Sequence, residues 1–294
     1  MRTMRRMVAA ALVAALGAGV GVANAFVGGD STSLQGAISY GSFHSKAVAG
    51  TLHYAVYLPP GYSTSKTRYP VVYFLHGLPA GATTYRAIGP IAQAIEQAHR
   101  KAVVIGAQGA RINDSDPEWL DNGPGEKWET ATAKELVSVV DSRYRTIATR
   151  AGRLLVGISG GGYGAMLIAL HNPSVYAVVE SWSGYFHATN PAGTASLDLG
   201  SREANDWASA HTLLGRLRAF VGANGQNGYA AFYVGTNDST FRTENEQFFR
   251  EIRAAGIKDV TFRLYSGAHN WSLWGRYAVS WLAAGLAEAA PPRG

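Results

Sequence analysis

The stretch RLLVGISGGGYGAM, Arg153 to Met166, decides the fold. Leu154-Leu155-Val156 is short, apolar and partly β-branched, which is the pattern of a buried parallel strand. It runs into Gly157-Ile158-Ser159-Gly160-Gly161, a match to G-x-S-x-G, and then into a predicted helix from Gly162 to His171. Strand, sharp turn and helix form the context in which this pattern becomes a nucleophile elbow. The serine occupies a strained turn, and residues without a Cβ let the flanking strand and helix approach each other. The helix N-terminus adds a positive partial charge beside the serine oxygen. The competing reading is a glycine-rich β-to-α turn with a solvated serine. A phosphate-binding loop is disfavoured, because no Lys-Ser/Thr pair follows the glycines.

Working outward, the elements alternate. Gly41 to Pro59 reads as an antiparallel hairpin, stopped by Pro59-Pro60-Gly61. Pro70 to Leu75 (PVVYFL) reads as a buried strand leading into His76-Gly77-Leu78, followed by helical spacing from Thr84 to Arg100. Ala102 to Ala107 is a further apolar strand, and a polar loop from Arg111 to Glu126 precedes a predicted helix from Trp128 to Tyr144. After the elbow come strands at Tyr176 to Ser181, Ala230 to Val234 and Val260 to Tyr265, with helices from Phe241 to Ala255 and Leu273 to Ala289. This alternation implies an α/β fold, a mostly parallel sheet with helices on both faces. Gly184 to Gly228 lacks a strand pattern and is expected to be a cap-like insertion.

The first residues carry a targeting pattern. Arg2, Arg5 and Arg6 form a basic region, Val8 to Val22 an apolar one, and Ala23-Asn24-Ala25 a cleavage site. Residues 1–25 therefore read as a cleaved secretory signal peptide, too short and alanine-rich for a good membrane span. A retained N-terminal anchor is the alternative. Residues 26–294 are expected to form one secreted catalytic domain. The net charge of +6 drops to +3 without the three leader arginines and is spread without a basic run, which argues against a nucleic-acid partner. Cysteine is absent, which excludes thiol catalysis and Cys-based metal sites. No cofactor and no metal ligand are assigned.

An elbow serine needs a base, and the chain order for this chemistry is Ser, then Asp or Glu, then His. Asp238, in GTNDS, follows the strand ending at Val234, and His269, in GAHNW, follows the strand ending at Tyr265. Both loops leave the carboxyl ends of strands, the edge where α/β sheets carry their sites. Ser159 is then the nucleophile, His269 the general base and Asp238 the group that fixes the imidazole. Glu244 and Glu246 fall inside a predicted helix, and Asp259 precedes its strand on the opposite edge. The oxyanion hole is expected from the backbone N–H groups of Gly160 and Leu78. Trp271, Trp128 and Tyr185 are candidates for the substrate pocket, with Trp119, Trp182 and Phe186 behind them.

Five motifs in order, namely HGLPAG, KWET (Lys127 to Thr130), GISGGGYGAM, GTNDS and GAHNWSLW, resemble the esterase D-like branch of the α/β-hydrolases. That branch includes feruloyl esterases, S-formylglutathione hydrolase and the secreted mycolyltransferases of the mycobacterial antigen complex. The resemblance covers roughly Thr51 to Leu286 and implies an α/β-hydrolase fold and a serine carboxylic-ester hydrolase without a cofactor. GTNDS resembles the acid loop of feruloyl esterases, and KWET resembles a mycolyltransferase segment. The mycolyltransferases carry an aspartate of their sugar site where this chain has His76, and their acid is a glutamate where this chain has Asp238. The expected substrate is a small-molecule or cell-envelope ester. One rival function is acyl transfer to a sugar hydroxyl such as trehalose. Another is a catalytically silent surface or matrix-binding protein on the same fold, against which the intact Ser, Asp and His argue. Oligomeric state is left open.

Overall fold

The computed structural model describes residues 33–112, 114, 118–190, 195–222 and 227–294. The signal-peptide reading of residues 1–25 lies outside the described residues. Among the described residues, eight strands form one sheet: β1 (Ala37–Ser45), β2 (Gly50–Leu58), β3 (Val71–Leu75), β4 (Val103–Ala107), β5 (Arg153–Ile158), β6 (Val178–Trp182), β7 (Tyr229–Gly235) and β8 (Val260–Tyr265). Their order is β1-β2-β4-β3-β5-β6-β7-β8. The first two pairings, β1 with β2 and β2 with β4, are antiparallel, and every later neighbour is parallel. Strands β3, β4 and β6 are completely buried, as strands covered on both faces must be; β3 and β4 are apolar throughout, and β6 (VVESW) is apolar but for Glu180 and Ser181. Edge strand β1 instead mixes exposed and half-buried residues until Ser45, which is buried.

The helices are α1 (Gly89–Gln97), α2 (Trp128–Thr130), α3 (Val137–Arg143), α4 (Gly160–His171), α5 (Arg202–Trp207), α6 (Leu214–Gly222), α7 (Arg242–Ala254) and α8 (Trp271–Glu288). One face of the sheet packs on α1 and α8 through Ile91, Ile95, Trp274, Trp281 and Leu282. The other packs on α3, α4, α6 and α7 through Val140, Leu167, Leu217, Phe220, Phe248 and Ile252. Helix α4 is buried on every side, so it has no polar face; it is the central helix behind the sheet. Among the described residues, no helix is long and apolar enough to cross a membrane.

Three expectations are corrected. The helix expected over Thr84 to Arg100 is split into a 3-10 turn at Thr84–Arg86 and α1. Pro90 stands in the first turn of α1, where its missing N–H and fixed φ suit a helix start. Between Trp128 and Arg143 the helix is continuous but widens to π geometry over Ala131–Leu136. The cap-like insertion expected over 184–228 is shorter than that. Helix α6 buries Leu217 and Phe220 against the sheet and is the ordinary crossover from β6 to β7, so the described excursion ends near Leu213.

Candidate active site

The elbow is built as the glycines require. Strand β5 ends at Ile158 and α4 begins at Gly160, so Ser159 alone makes the corner, with φ 53° and ψ −123°. A serine at positive φ costs free energy, which the surrounding packing must offset. That packing is tight. A Cβ on Gly157 would lie 2.0 Å from the Gly161 carbonyl oxygen, and one on Gly161 would lie 2.1 Å from that of Leu75. The Ser159 N–H donates to the Trp182 carbonyl at 2.9 Å, pinning the corner to β6.

Sequence-distant groups converge on the serine. Asp238 and His269 sit on loops after β7 and β8, and those loops are joined by backbone bonds. Thr236 N–H donates to the Tyr265 carbonyl at 2.7 Å and Asn237 N–H to that of Gly267 at 2.8 Å. Asp238 is fully buried, and its Oδ1 accepts from the N–H groups of Thr240 (3.2 Å) and Phe241 (3.0 Å). Its Oδ2 accepts from His269 Nδ1–H at 2.7 Å. That contact directs the His269 Nε2 lone pair to the Ser159 hydroxyl, 2.9 Å away. The imidazole is held on its sides by Phe241 and Trp274, each with its ring centre 5.1 Å away. Trp274 is fixed in turn by its Nε1–H to Ser183 Oγ at 3.0 Å. This arrangement of hydroxyl, imidazole and carboxylate meets the distance requirement for nucleophilic catalysis.

The loop expected to supply the oxyanion hole lies against the serine. A Cβ on Gly77 would fall 2.8 Å from Ser159 Cβ, and one on Gly160 would fall 2.8 Å from Leu78 Cγ. Gly160 is the first residue of α4, so its N–H has no partner within the helix. His76 stiffens this loop. It is buried against Trp119, donates from Nδ1 to the Gly77 carbonyl at 3.0 Å and accepts from Gly109 N–H at 3.1 Å through Nε2. Burial pushes its pKa down to about 4, against the bond to Gly77, so it stands there as a neutral strut.

The pocket candidates separate. Tyr185 lies beside the elbow, its hydroxyl 3.1 Å from where a Gly160 Cβ would be. It stacks on Tyr163 and donates to Glu118 at 2.8 Å. Trp271 is half-buried and packs edge-on against Trp274. Trp128 is a correction: it is completely buried in a small separate core with Ala47, Val48 and Leu52, with the Arg111 guanidinium over its ring. It anchors the hairpin and the following loop. Trp119, Trp182 and Phe186 are core residues as well. An aromatic residue in a polar stretch gives no sequence signal of which role it takes. The sequence reading missed Phe241, Trp274 and Glu118, which are recruited to this region from three separate elements.

Residues 45–280 match the Esterase family. The chain belongs to this family. It is 30% identical over 148 residues to an esterase of Mycobacterium tuberculosis, an alignment covering 49% of this chain and 32% of that protein. It is 26% identical over 179 residues to the diacylglycerol acyltransferase/mycolyltransferase Ag85A of Mycobacterium leprae, covering 51% of this chain and 52% of that one. The chain thus spans about a third to about half the length of these curated relatives. Among solved structures, an S-formylglutathione hydrolase from Agrobacterium tumefaciens superposes with TM-score 0.71 at 20% identity, covering 88% of this chain and 98% of the other. The fold of this Esterase-family chain is that of the α/β-hydrolases.

Proposed function

We propose that the chain is a serine carboxylic-ester hydrolase working through an acyl-enzyme on Ser159. The observation that carries this reading is the unbroken relay from Asp238 Oδ2 through His269 to Ser159 Oγ, at 2.7 and 2.9 Å. His269 takes the hydroxyl proton as Ser159 Oγ attacks the ester carbonyl. The resulting oxyanion is held by the N–H groups of Gly160 and Leu78, and the C–O bond breaks as His269 returns the proton to the departing alkoxide. Water then attacks the acyl-enzyme by the same route. Asp238 keeps the imidazole in the Nε2-accepting tautomer and stabilises the imidazolium. The leader sequence supports export of the mature domain, so the substrate is an ester met outside the cytoplasm.

Acyl transfer to an alcohol is the second reading, favoured by the similarity to the M. leprae acyltransferase. The buried, doubly bonded His76, where mycolyltransferases carry a sugar-site aspartate, supports hydrolysis over a trehalose acceptor. The test is turnover of a p-nitrophenyl acyl ester series by wild type, Ser159→Ala and Asp238→Asn, with and without trehalose. Loss of the nucleophile should lower kcat by on the order of 10⁶-fold, and the tautomer error in Asp238→Asn by on the order of 10⁴-fold. Undiminished turnover by Ser159→Ala would sink the reading. Acyl-trehalose as the main product would favour the transferase.

A further inference from the structure

A second cluster of chemistry-bearing side chains lies between the β6–β7 insertion and α7, and the proposed ester chemistry does not use it. His187 follows β6, His211 sits on the 3-10 turn Ala210–Leu213, and Glu244 stands in the first turn of α7. One ligand atom from each lies within 4.8 Å of the others. His187 Nδ1 is 2.5 Å from Glu244 Oε1, and His211 Nε2 is 3.4 Å from the same oxygen. Ligand atoms around a tetrahedral zinc at bond lengths near 2.0–2.1 Å stand roughly 3.4 Å apart, so this triangle needs only small movements.

The cluster is also held in place from behind. The backbone brings the two histidines together: His187 and Ser209 form an antiparallel bridge, and Ala210 N–H donates to the Phe186 carbonyl at 2.7 Å. Glu251, two turns along α7, accepts from His211 Nδ1–H at 2.5 Å and so turns its Nε2 toward Glu244. A carboxylate behind a ligating imidazole is the usual support of a metal-bound histidine. Glu244 is itself fixed by the Phe186 N–H at 2.8 Å. The three groups open on a cleft of about 850 Å³, which leaves room for water at a fourth position.

We propose that His187, His211 and Glu244 bind a divalent transition cation of the zinc class, which clips the insertion to α7. Two imidazoles and one carboxylate suit zinc, cobalt or nickel. Calcium and magnesium prefer all-oxygen sets. Ligation through His187 Nδ1 requires the tautomer with its proton on Nε2, and the hydrogen bond to Glu244 is exchanged for two metal bonds. The clip bears on the ester site only indirectly. Tyr185 lies at the root of the insertion and Phe241 just before α7, and the two rings pack 4.8 Å apart beside His269.

The test is equilibrium dialysis of chelator-stripped protein against zinc, with metal analysis, for wild type, His187→Ala and His211→Ala, each also in the Ser159→Ala background. About one zinc per chain is expected in wild type and in Ser159→Ala, with loss of that zinc in either histidine variant. Wild type that takes up no zinc, or histidine variants that bind as wild type does, would overturn the site. Should the variants not fold, cobalt titration of wild type decides. A visible d–d spectrum saturating at one equivalent supports the proposal, and its absence overturns it. Zinc should also raise the wild-type melting temperature by several degrees. These readouts do not depend on ester turnover.

Discussion

Glu180 illustrates how one side chain can impose a pH dependence on the whole molecule. It lies on β6, wholly buried, accepting from Trp182 Nε1–H at 3.0 Å, and burial pushes its pKa up to about 8 against the bonds from Trp182 and Gly285. In the unfolded chain it ionises at an ordinary carboxyl value, so between pH 5 and 7 the native state holds one more proton. Stability therefore falls as pH rises through that window, by about 1.4 kcal/mol per pH unit from this group. Glu180→Gln keeps an acceptor for Trp182 and removes the titration. Its stability relative to wild type, from urea unfolding at pH 5, 6 and 7, should rise by about that slope. A constant difference would show that Glu180 ionises normally. No sequence pattern flagged this residue, because a glutamate in VVESW reads as an interruption of an apolar strand and carries no mark of its burial. Ser159, Asp238 and His269 were legible for the opposite reason: each stands at a strand end whose position the apolar runs announce.

At the scale of elements, the buried strands were legible to within two residues, since a short, partly β-branched run such as VVYFL between turn signals fits a buried strand. The start of edge strand β1 at Ala37, four residues before the expected hairpin, carries no such run. The helices were read less well. The π segment Ala131–Leu136 leaves the hydrophobic spacing nearly unchanged, and the break before α1 depends on Pro90 inside an otherwise helical pattern. The insertion after β6 was recognised by its missing strand pattern, but α6 was counted into it because Leu217, Phe220 and Val221 form too short a stripe to stand out. His187, His211 and Glu244 were invisible as a group, being brought together only by the folding of that insertion onto α7. The insertion begins beside the elbow, where the Tyr185 hydroxyl lies against Gly160, so it should govern which acyl chains are accepted. Replacing residues 187–212 with the matching segment of another family member should shift chain-length preference across the ester series by about tenfold, with burst amplitude retained. An unchanged profile would remove the insertion from specificity.

For the molecule as a whole, the sheet divides the helices into two layers, and everything placed at the proposed site stands at one end of the central and late strands. That end is anchored unevenly. Ser159 rises from the middle of the sheet, between β3 and β6, whereas His269 hangs from β8, an outer strand with half-exposed and exposed side chains. The bonds from Thr236 to Tyr265 and from Asn237 to Gly267 join the loop of Asp238 to the loop of His269. Opening of β8 alone would draw His269 away from Ser159 and release the N–H groups of Thr236 and Asn237, while Ser159 stayed in place. Ester turnover should therefore be lost on heating several degrees below the far-ultraviolet dichroism midpoint, and the amides of Thr236 and Asn237 should exchange well before those of β5. Coincident loss of turnover and helix signal would exclude this. The outer strand β8 would then act as a fuse, its opening parting His269 from Ser159 before the central strands separate.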